Sequence, residues 1–308
     1  MILRPINFHP EITNIDANFV NNSQTKLLLR SVSVKNGRQV AQFMADPKVC
    51  VSLEATTLKE VMDEAARASL AGADMIEIRF DRLYMIRPQA TISEGEDGER
   101  ISYTPPAVEW ATREYESINV ETSIESFKEG ISLPVIFTVR PVREGGFFIG
   151  TEEQRIEILK MAISSGVSWV DLETSIEEKV RTELLAAAKA AGCQVIASTH
   201  NNQSMPSAAD ISELVHSHKD LGEIIKFCGK VTNHQDALQL IEASQGLADG
   251  DIRFSLMGLG NGGDWTRIHA PVLGQTLVFA TMLNEFRLNE KGLVNVNDLR
   301  DAWALLEY

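Results

Sequence analysis

From residue 48 onward, short unbroken apolar runs alternate with longer segments of helical period. The runs cover residues 49–53, 75–80, 135–139, 169–172, 194–197, 223–227, 252–256 and 277–280. Between them, sets such as Leu58, Val61, Met62, Ala65 and Ala66, or Ile156, Leu159, Lys160 and Ile163, repeat at three and four residues. That spacing puts them on one face of a helix. A strand that is apolar at every position is buried on both faces, which in alternation with helices means a parallel sheet covered on its outer side. Eight such units over about 250 residues predict a closed (β/α)8 TIM barrel. A doubly wound open sheet is the competing arrangement, but no Gly-x-Gly-x-x-Gly follows the first run.

Two shorter runs precede the barrel pattern. Residues 27–33 and 39–44 flank Lys35, Asn36 and Gly37, and Asn-Gly between apolar runs predicts an N-terminal β-hairpin. Residues 1–25 are polar, Asn-rich and without period, which reads as an N-terminal extension of flexible character. Residues 26–308 then form a single barrel domain. One interval breaks its rhythm: residues 84–132 are too long for one helix and two loops. They read as a mobile polar insertion followed by a helix near 109–129.

Composition narrows the function classes. The formal charge of −14 repels phosphate backbones and anionic membrane surfaces, so neither nucleic acid nor membrane is the expected partner. Any anionic substrate must be met by a local basic group. Cys50, Cys193 and Cys228 are odd in number and lack CxxC spacing, which fits buried thiols better than disulfides or a zinc site. No apolar run reaches the length of a membrane span, and the N-terminus has no signal-peptide pattern. A cytoplasmic location is expected.

Catalytic groups of a barrel gather at the C-terminal ends of its strands. The second run ends in Glu77, Arg79 and Asp81, which at period 2 point together toward the interior. A structural ion network and a substrate site explain them equally well. The third run ends in Thr138 and Arg140, followed by Arg143, Glu144, Gly145 and Gly146; Arg143 reads as a solvated loop charge. The fifth ends in Ser198, Thr199 and His200. A lone histidine there is ordinarily structural, and gains meaning only with an orienting carboxylate and a reactive neighbour. The sixth carries Lys226 inside an apolar strand. Burial and neighbouring cations are expected to lower its pKa and make it nucleophilic; a lysine snorkelling to the rim is the plainer alternative. After the seventh comes a glycine-rich stretch from Met257 to Gly263. It lacks the lysine of a P-loop, while Arg267 beyond it could clamp a carboxylate in bidentate fashion.

Taken together and in this order, Glu77-Ile78-Arg79-Phe80-Asp81, Thr138-Val139-Arg140 with Glu144-Gly145-Gly146, Ser198-Thr199-His200, Ile225-Lys226, and Met257-Gly258 leading to Thr266-Arg267 resemble the type I 3-dehydroquinate dehydratase family over roughly residues 27–308. The resemblance implies dehydration of 3-dehydroquinate to 3-dehydroshikimate in the shikimate pathway of aromatic amino acid biosynthesis, through a lysine Schiff base and without metal or diffusible cofactor. It implies Lys226 as the Schiff-base lysine, His200 as general base and acid, and Glu144 as the carboxylate that orients His200. Arg267 corresponds to the substrate-carboxylate clamp. Glu77, Arg79 and Arg140 correspond to the group holding the ring hydroxyls. Ser52 and Met257 fall at substrate-contacting positions, and Phe279 corresponds to a pocket-wall aromatic. A homo-oligomer, specifically a dimer, is implied as well.

The chain departs from the family where substrate is covered. The usual Ser-Ala-Pro-Gly-Gln lid is replaced by Asn289-Glu290-Lys291-Gly292-Leu293, keeping only the glycine. The loop from Met257 to Arg267 reads about two residues longer than usual. Two other functions therefore stay open: a related Schiff-base lyase or aldolase acting on another hydroxyketo acid, and a non-enzymatic sensor of a shikimate or quinate metabolite.

Overall fold

A computed structural model of the protein describes residues 28–35, 38–94, 100–260, 262–282 and 292–308. The proposed extension at 1–25 lies outside these residues. The hairpin is present: β1 (Leu28–Lys35) pairs antiparallel with β2 (Arg38–Met44), bringing Lys35 opposite Arg38.

All eight apolar runs are strands of one parallel sheet. They are β3 (Lys48–Ser52), β4 (Met75–Arg79), β9 (Val135–Thr138), β10 (Trp169–Glu173), β11 (Gln194–Asn201), β12 (Ile224–Lys230), β13 (Phe254–Leu259) and β14 (Leu277–Ala280). Each pairs with the next in this order from β3 to β13, and β14 returns to β3. The remaining seam, β13 to β14, is closed largely by side chains. Ser255 Oγ donates to Leu277 O at 2.6 Å, and the Gln275 carboxamide both accepts from Leu256 N (2.8 Å) and donates to Leu256 O (3.2 Å). Thus Gln275 stands in for a backbone partner where the ladder is missing, as a buried N–H and C=O require.

The outer layer consists of α1 (Leu58–Leu70), α2 (Val120–Gly130), α3 (Glu152–Ser165), α4 (Glu178–Ala191), α5 (Ala208–Ser217), α6 (His234–Leu247), α7 (Asp264–Ile268) and α8 (Val296–Leu305). Their starts are set by side-chain caps: Thr57, Asn119, Thr151, Ser207, Asn233 and Asn295 each accept from a first-turn N–H. Of the faces their spacing predicts, Val61 and Ala65 on α1 and Ile156, Leu159 and Ile163 on α3 are buried, while Ala66 and Lys160 at the edge of each face are exposed.

The insertion differs from the sequence expectation. Its helix begins at Val120, where Asn119 caps it, rather than near 109. Residues before it form β5 (Met85–Ile86) paired with β8 (Ala111–Thr112), and β6 (Thr91–Glu94) paired with β7 (Arg100–Tyr103). Arg113 ties this segment down by donating to Leu83 O and Thr56 O. Among the described residues, no helix is long and apolar enough to cross a membrane.

Candidate active site

Lys226 lies inside β12 with Ile224, Ile225, Phe227 and Cys228, all buried. It is 4% exposed, so it does not snorkel to a rim. Parallel register pairs Ser198 with Lys226 and His200 with Cys228, so Ser198 and His200 share the interior side with the lysine. Its ammonium donates to Asp171 Oδ2 at 3.2 Å and stands 3.9 Å from Glu77 Oε1. The Phe279 ring lies below it, centroid at 4.2 Å. This overturns one expectation. Burial pushes the lysine down and so does Arg140, but the Asp171 and Glu77 carboxylates outweigh both, and its pKa is raised. In the ligand-free protein Lys226 is an ion-paired ammonium, and it must lose a proton before it can attack.

Arg140 is the hub of these charges. It binds Asp171 through both carboxylate oxygens (3.1 and 2.9 Å), Glu173 at 2.8 Å and Ser198 Oγ at 2.9 Å. Glu173 in turn accepts from Arg155 of α3 at 2.5 Å. Three cations (Arg140, Arg155, Lys226) thus meet three carboxylates (Glu77, Asp171, Glu173), all buried, which is the condition for burying any of them. Glu77 also accepts from Ser52 Oγ (2.6 Å) and Thr138 Oγ1 (2.9 Å). Arg79 instead forms a two-pronged pair with Asp81 (2.9 and 2.7 Å). The strand ends at Arg79 and a 3-10 turn (Phe80–Tyr84) follows, so Asp81 is not the third inward strand position that the period implied.

His200 Nδ1 is 3.0 Å from Glu144 Oε2. A carboxylate only accepts, so Nδ1 carries the hydrogen and Nε2 is left with its lone pair. Burial, aided by Arg140 and opposed by the Glu144 hydrogen bond, lowers the imidazole to about 4. It is therefore neutral at pH 7, as a base must be. Glu144 ends a short 3-10 turn whose next residue, Gly145, has φ +78°, a conformation that favours glycine. At Gly146 a Cβ would collide with the Arg140 backbone, so the turn brings Glu144 toward His200 only with glycine there. Arg143 is half exposed and pairs with Glu152 (3.0 Å), consistent with a loop charge.

Arg267 is 1% exposed, yet its guanidinium meets only carbonyls: Phe279 O (3.1 Å), Gly258 O (2.9 Å) and Gly263 O (2.5 Å). Among the described residues no carboxylate lies within ion-pair distance of it, and burial lowers its pKa to about 10. The glycine-rich stretch therefore turns carbonyls onto a cation rather than N–H groups onto a phosphate. Met257, Phe279, Cys50 and Cys228 form the adjoining apolar surface inside the barrel, with Leu293 packed on it. Residues Asn289, Glu290 and Lys291 of the departed lid lie outside the described residues. Gly292, the lid position that is kept, has φ +69° and fits closely against Gly260 and Gly263.

Residues 49–308 match the profile of the family described as Type I 3-dehydroquinase. The chain belongs to that family. Among similar curated proteins, the 3-dehydroquinate dehydratase of Methanosarcina barkeri (strain Fusaro / DSM 804) is 28% identical over 256 residues, covering 82% of this chain and 93% of that protein. That of Methanothermobacter thermautotrophicus is 29% identical over 235 residues, covering 76% and 87%. The type I 3-dehydroquinate dehydratase structure from Clostridium difficile superposes with a TM-score of 0.69 at 20% identity, covering 90% of this chain and 98% of that one. The Geobacillus kaustophilus 3-dehydroquinate dehydratase also gives 0.69, at 18% identity and with 90% and 96% covered. At these identities the structural matches establish the shared barrel fold.

Within this dehydroquinase barrel, Lys226, Glu77, Ser52, Arg140, Phe279 and the His200–Glu144 pair converge at one end of the sheet. Arg79 is held aside by Asp81. The sequence pattern did not mark Asp171 and Glu173 as members of the same cluster, and marked Ser198 only within the Ser198-Thr199-His200 motif. The Asp171-Leu172-Glu173 alternation at the end of β10 carries the same period-2 sign as Glu77 and Arg79, and would have found two of them. Arg155 gave no such sign, since its burial depends on a carboxylate from another element.

Proposed function

We propose that the chain dehydrates 3-dehydroquinate to 3-dehydroshikimate through a Schiff base on Lys226. The observation that carries the reading is a buried strand lysine sharing one interior face with a histidine that is neutral and carboxylate-oriented. Once deprotonated, the Lys226 amine adds to the substrate ketone and water leaves, forming an iminium. The iminium accepts the electron pair released when neutral His200 removes the proton from the adjacent carbon. The resulting enamine expels the hydroxyl one carbon further on, and His200 returns its proton so that water departs. Hydrolysis of the conjugated iminium frees the product and the lysine. The amine itself supplies the electron sink, so this reading calls for no metal or diffusible cofactor.

Two further roles belong to the proposal. Arg267 binds the substrate carboxylate, since no carboxylate among the described residues already pairs with it. Glu77, with Ser52 and Thr138 already on it, and Arg140 set the polar wall facing the ring hydroxyls, with Arg79 at its edge. Met257 and Phe279 supply the apolar wall. A single catalytic barrel over residues 26–308, a homodimer and a cytoplasmic location are part of the same reading.

Borohydride reduction in the presence of 3-dehydroquinate should leave a stable adduct on Lys226, detected by peptide mass. Turnover should appear as the ultraviolet band of the conjugated product and vanish in Lys226→Ala. A folded protein that gives neither adduct nor turnover overturns the assignment. Turnover only on other hydroxyketo acids transfers it to a related lyase or aldolase, and tight binding without turnover to a sensor.

A further inference from the structure

The carboxylate that orients His200 has two oxygens, and each has one partner among the described residues. Oε2 meets His200 Nδ1, and Oε1 accepts from Ser175 Oγ. Ser175 is an exposed loop residue two positions beyond Glu173, but its backbone is pinned on both sides. Thr174 N donates to Ser198 O (2.8 Å), and its hydroxyl meets that of Thr199 (2.8 Å). Arg181 of α4 donates to Thr174 O (2.6 Å) and Ile176 O (2.8 Å), the two carbonyls flanking the serine. The Ile176 side chain is buried in the core. On its other side Ser175 accepts from Arg143 Nη2 at 3.5 Å, and Arg143 is itself fixed by Glu152.

We infer that Ser175 is a positioning residue: its hydroxyl, fixed by the Arg181-clasped loop, holds Glu144 in the orientation that aims His200. This rests on the dehydratase reading for its kinetic consequence, but not for its effect on the imidazole. Without Ser175 the Glu144 carboxylate keeps only its His200 contact among the described residues and can rotate about it. A carboxylate that loses a donor becomes more basic and stabilises imidazolium better. The other charges facing the His200–Glu144 pair are Arg140 from the end of β9, Asp171 and Glu173 from β10, and Lys226 from β12. All sit in the buried network described above, and the substitution touches none of them.

The test uses the full chain with Ser175→Ala and Ser175→Thr. Ser175→Ala should lower kcat about fivefold with KM little changed, the scale of one ordinary hydrogen bond. It should also raise the His200 titration point from about 4, followed by NMR of the imidazole in the ligand-free protein. Ser175→Thr, which keeps the hydroxyl, should restore both. Arg181→Met, remote from substrate, should reproduce a weaker form of the Ser175→Ala effect. An unmoved His200 titration with wild-type kcat in Ser175→Ala overturns the inference, as does an equal loss in Ser175→Thr. Because the imidazole titration needs no substrate, it decides the point even if the wild-type chain proves inactive on 3-dehydroquinate.

Discussion

Two arginines are buried almost equally in this barrel, and their surroundings are opposite. Arg140 is 2% exposed and Arg267 1%. Arg140 faces Asp171, Glu173 and, at 4.0 Å, Glu77. Those carboxylates outweigh burial and hold its pKa well above the usual arginine value. Arg267 has three carbonyls and no carboxylate within reach among the described residues, and burial drives it down to about 10. One region of the site is electrically complete without substrate. The other keeps a cation that meets no carboxylate among the described residues and whose burial outweighs the pull of Asp264 and Cys228, which an anionic ligand would relieve. The family resemblance implies substrate contact for both, yet only Arg267 is poised to gain a new ionic partner.

This contrast predicts a crossing of effects. Arg140→Met takes the shared cation from three buried carboxylates, leaving Lys226 and Arg155 to face all three, and should destabilise the fold by about 3–5 kcal/mol, read from denaturant unfolding. Arg267→Met strands only neutral carbonyls while removing a buried charge that has no carboxylate partner among the described residues, so its stability should change by about 1 kcal/mol or less. Its KM for 3-dehydroquinate should instead rise about a hundredfold, the scale of one lost desolvated charge pair. If Arg267→Met unfolds as readily as Arg140→Met, or binds substrate normally, the contrast collapses.

A sharper version acts on the complete region alone. Asp171 is the nearest carboxylate to Lys226, and the two largest coulombic pulls that raise the lysine are those of Asp171 and Glu77. Asp171→Asn keeps the shape and removes one of them, so the Lys226 pKa should fall. The pH needed for borohydride trapping should fall with it, while Arg267→Met should leave that pH where it was. Trapping that keeps its wild-type pH dependence in Asp171→Asn would show that Glu77 alone sets the lysine.

Sequence reading reached these regions unevenly, for physical reasons. The eight strands are legible because burial on both faces leaves unbroken apolar runs, and Lys226 stands out as a charge inside one. His200 and Glu144 are legible only as a pair far apart in the chain, joined through the resemblance. The sign of the Lys226 shift is not legible, because the apolar run of β10 spans residues 169–172 and nothing in its pattern places the Asp171 carboxylate beside a lysine two strands away. Likewise the carbonyl cradle of Arg267 depends on the backbone directions of Gly258 and Gly263, which composition does not encode. The insertion helix was placed too early because residues 109–119 are polar enough for a helix surface, whereas Asn119 marks its true start.

The smallest expected effect lies in the acid range, and it too separates the regions. Asp171 and Glu77 have native pKa values lowered by their cationic partners, after burial is overcome. The stability they contribute is present above their unfolded values of about 4 and is lost as pH falls through those values toward the lower native ones. His200, lowered to about 4, adds a decline at higher pH. Between an unfolded value of about 6.5 and the native one, the unfolded chain binds the proton that the native chain refuses. Stability should therefore be flat above about pH 6.5, fall gently to about 4, then fall steeply. His200→Gln should shrink the gentle part to what His218, also lowered by burial, contributes, and leave the steep one, whereas Arg267→Met should alter neither, since its charge does not change anywhere in that range. Unfolding curves measured across pH 3–8 on the three proteins would check this, and a gentle decline undiminished in His200→Gln would place its source outside the Lys226 cluster.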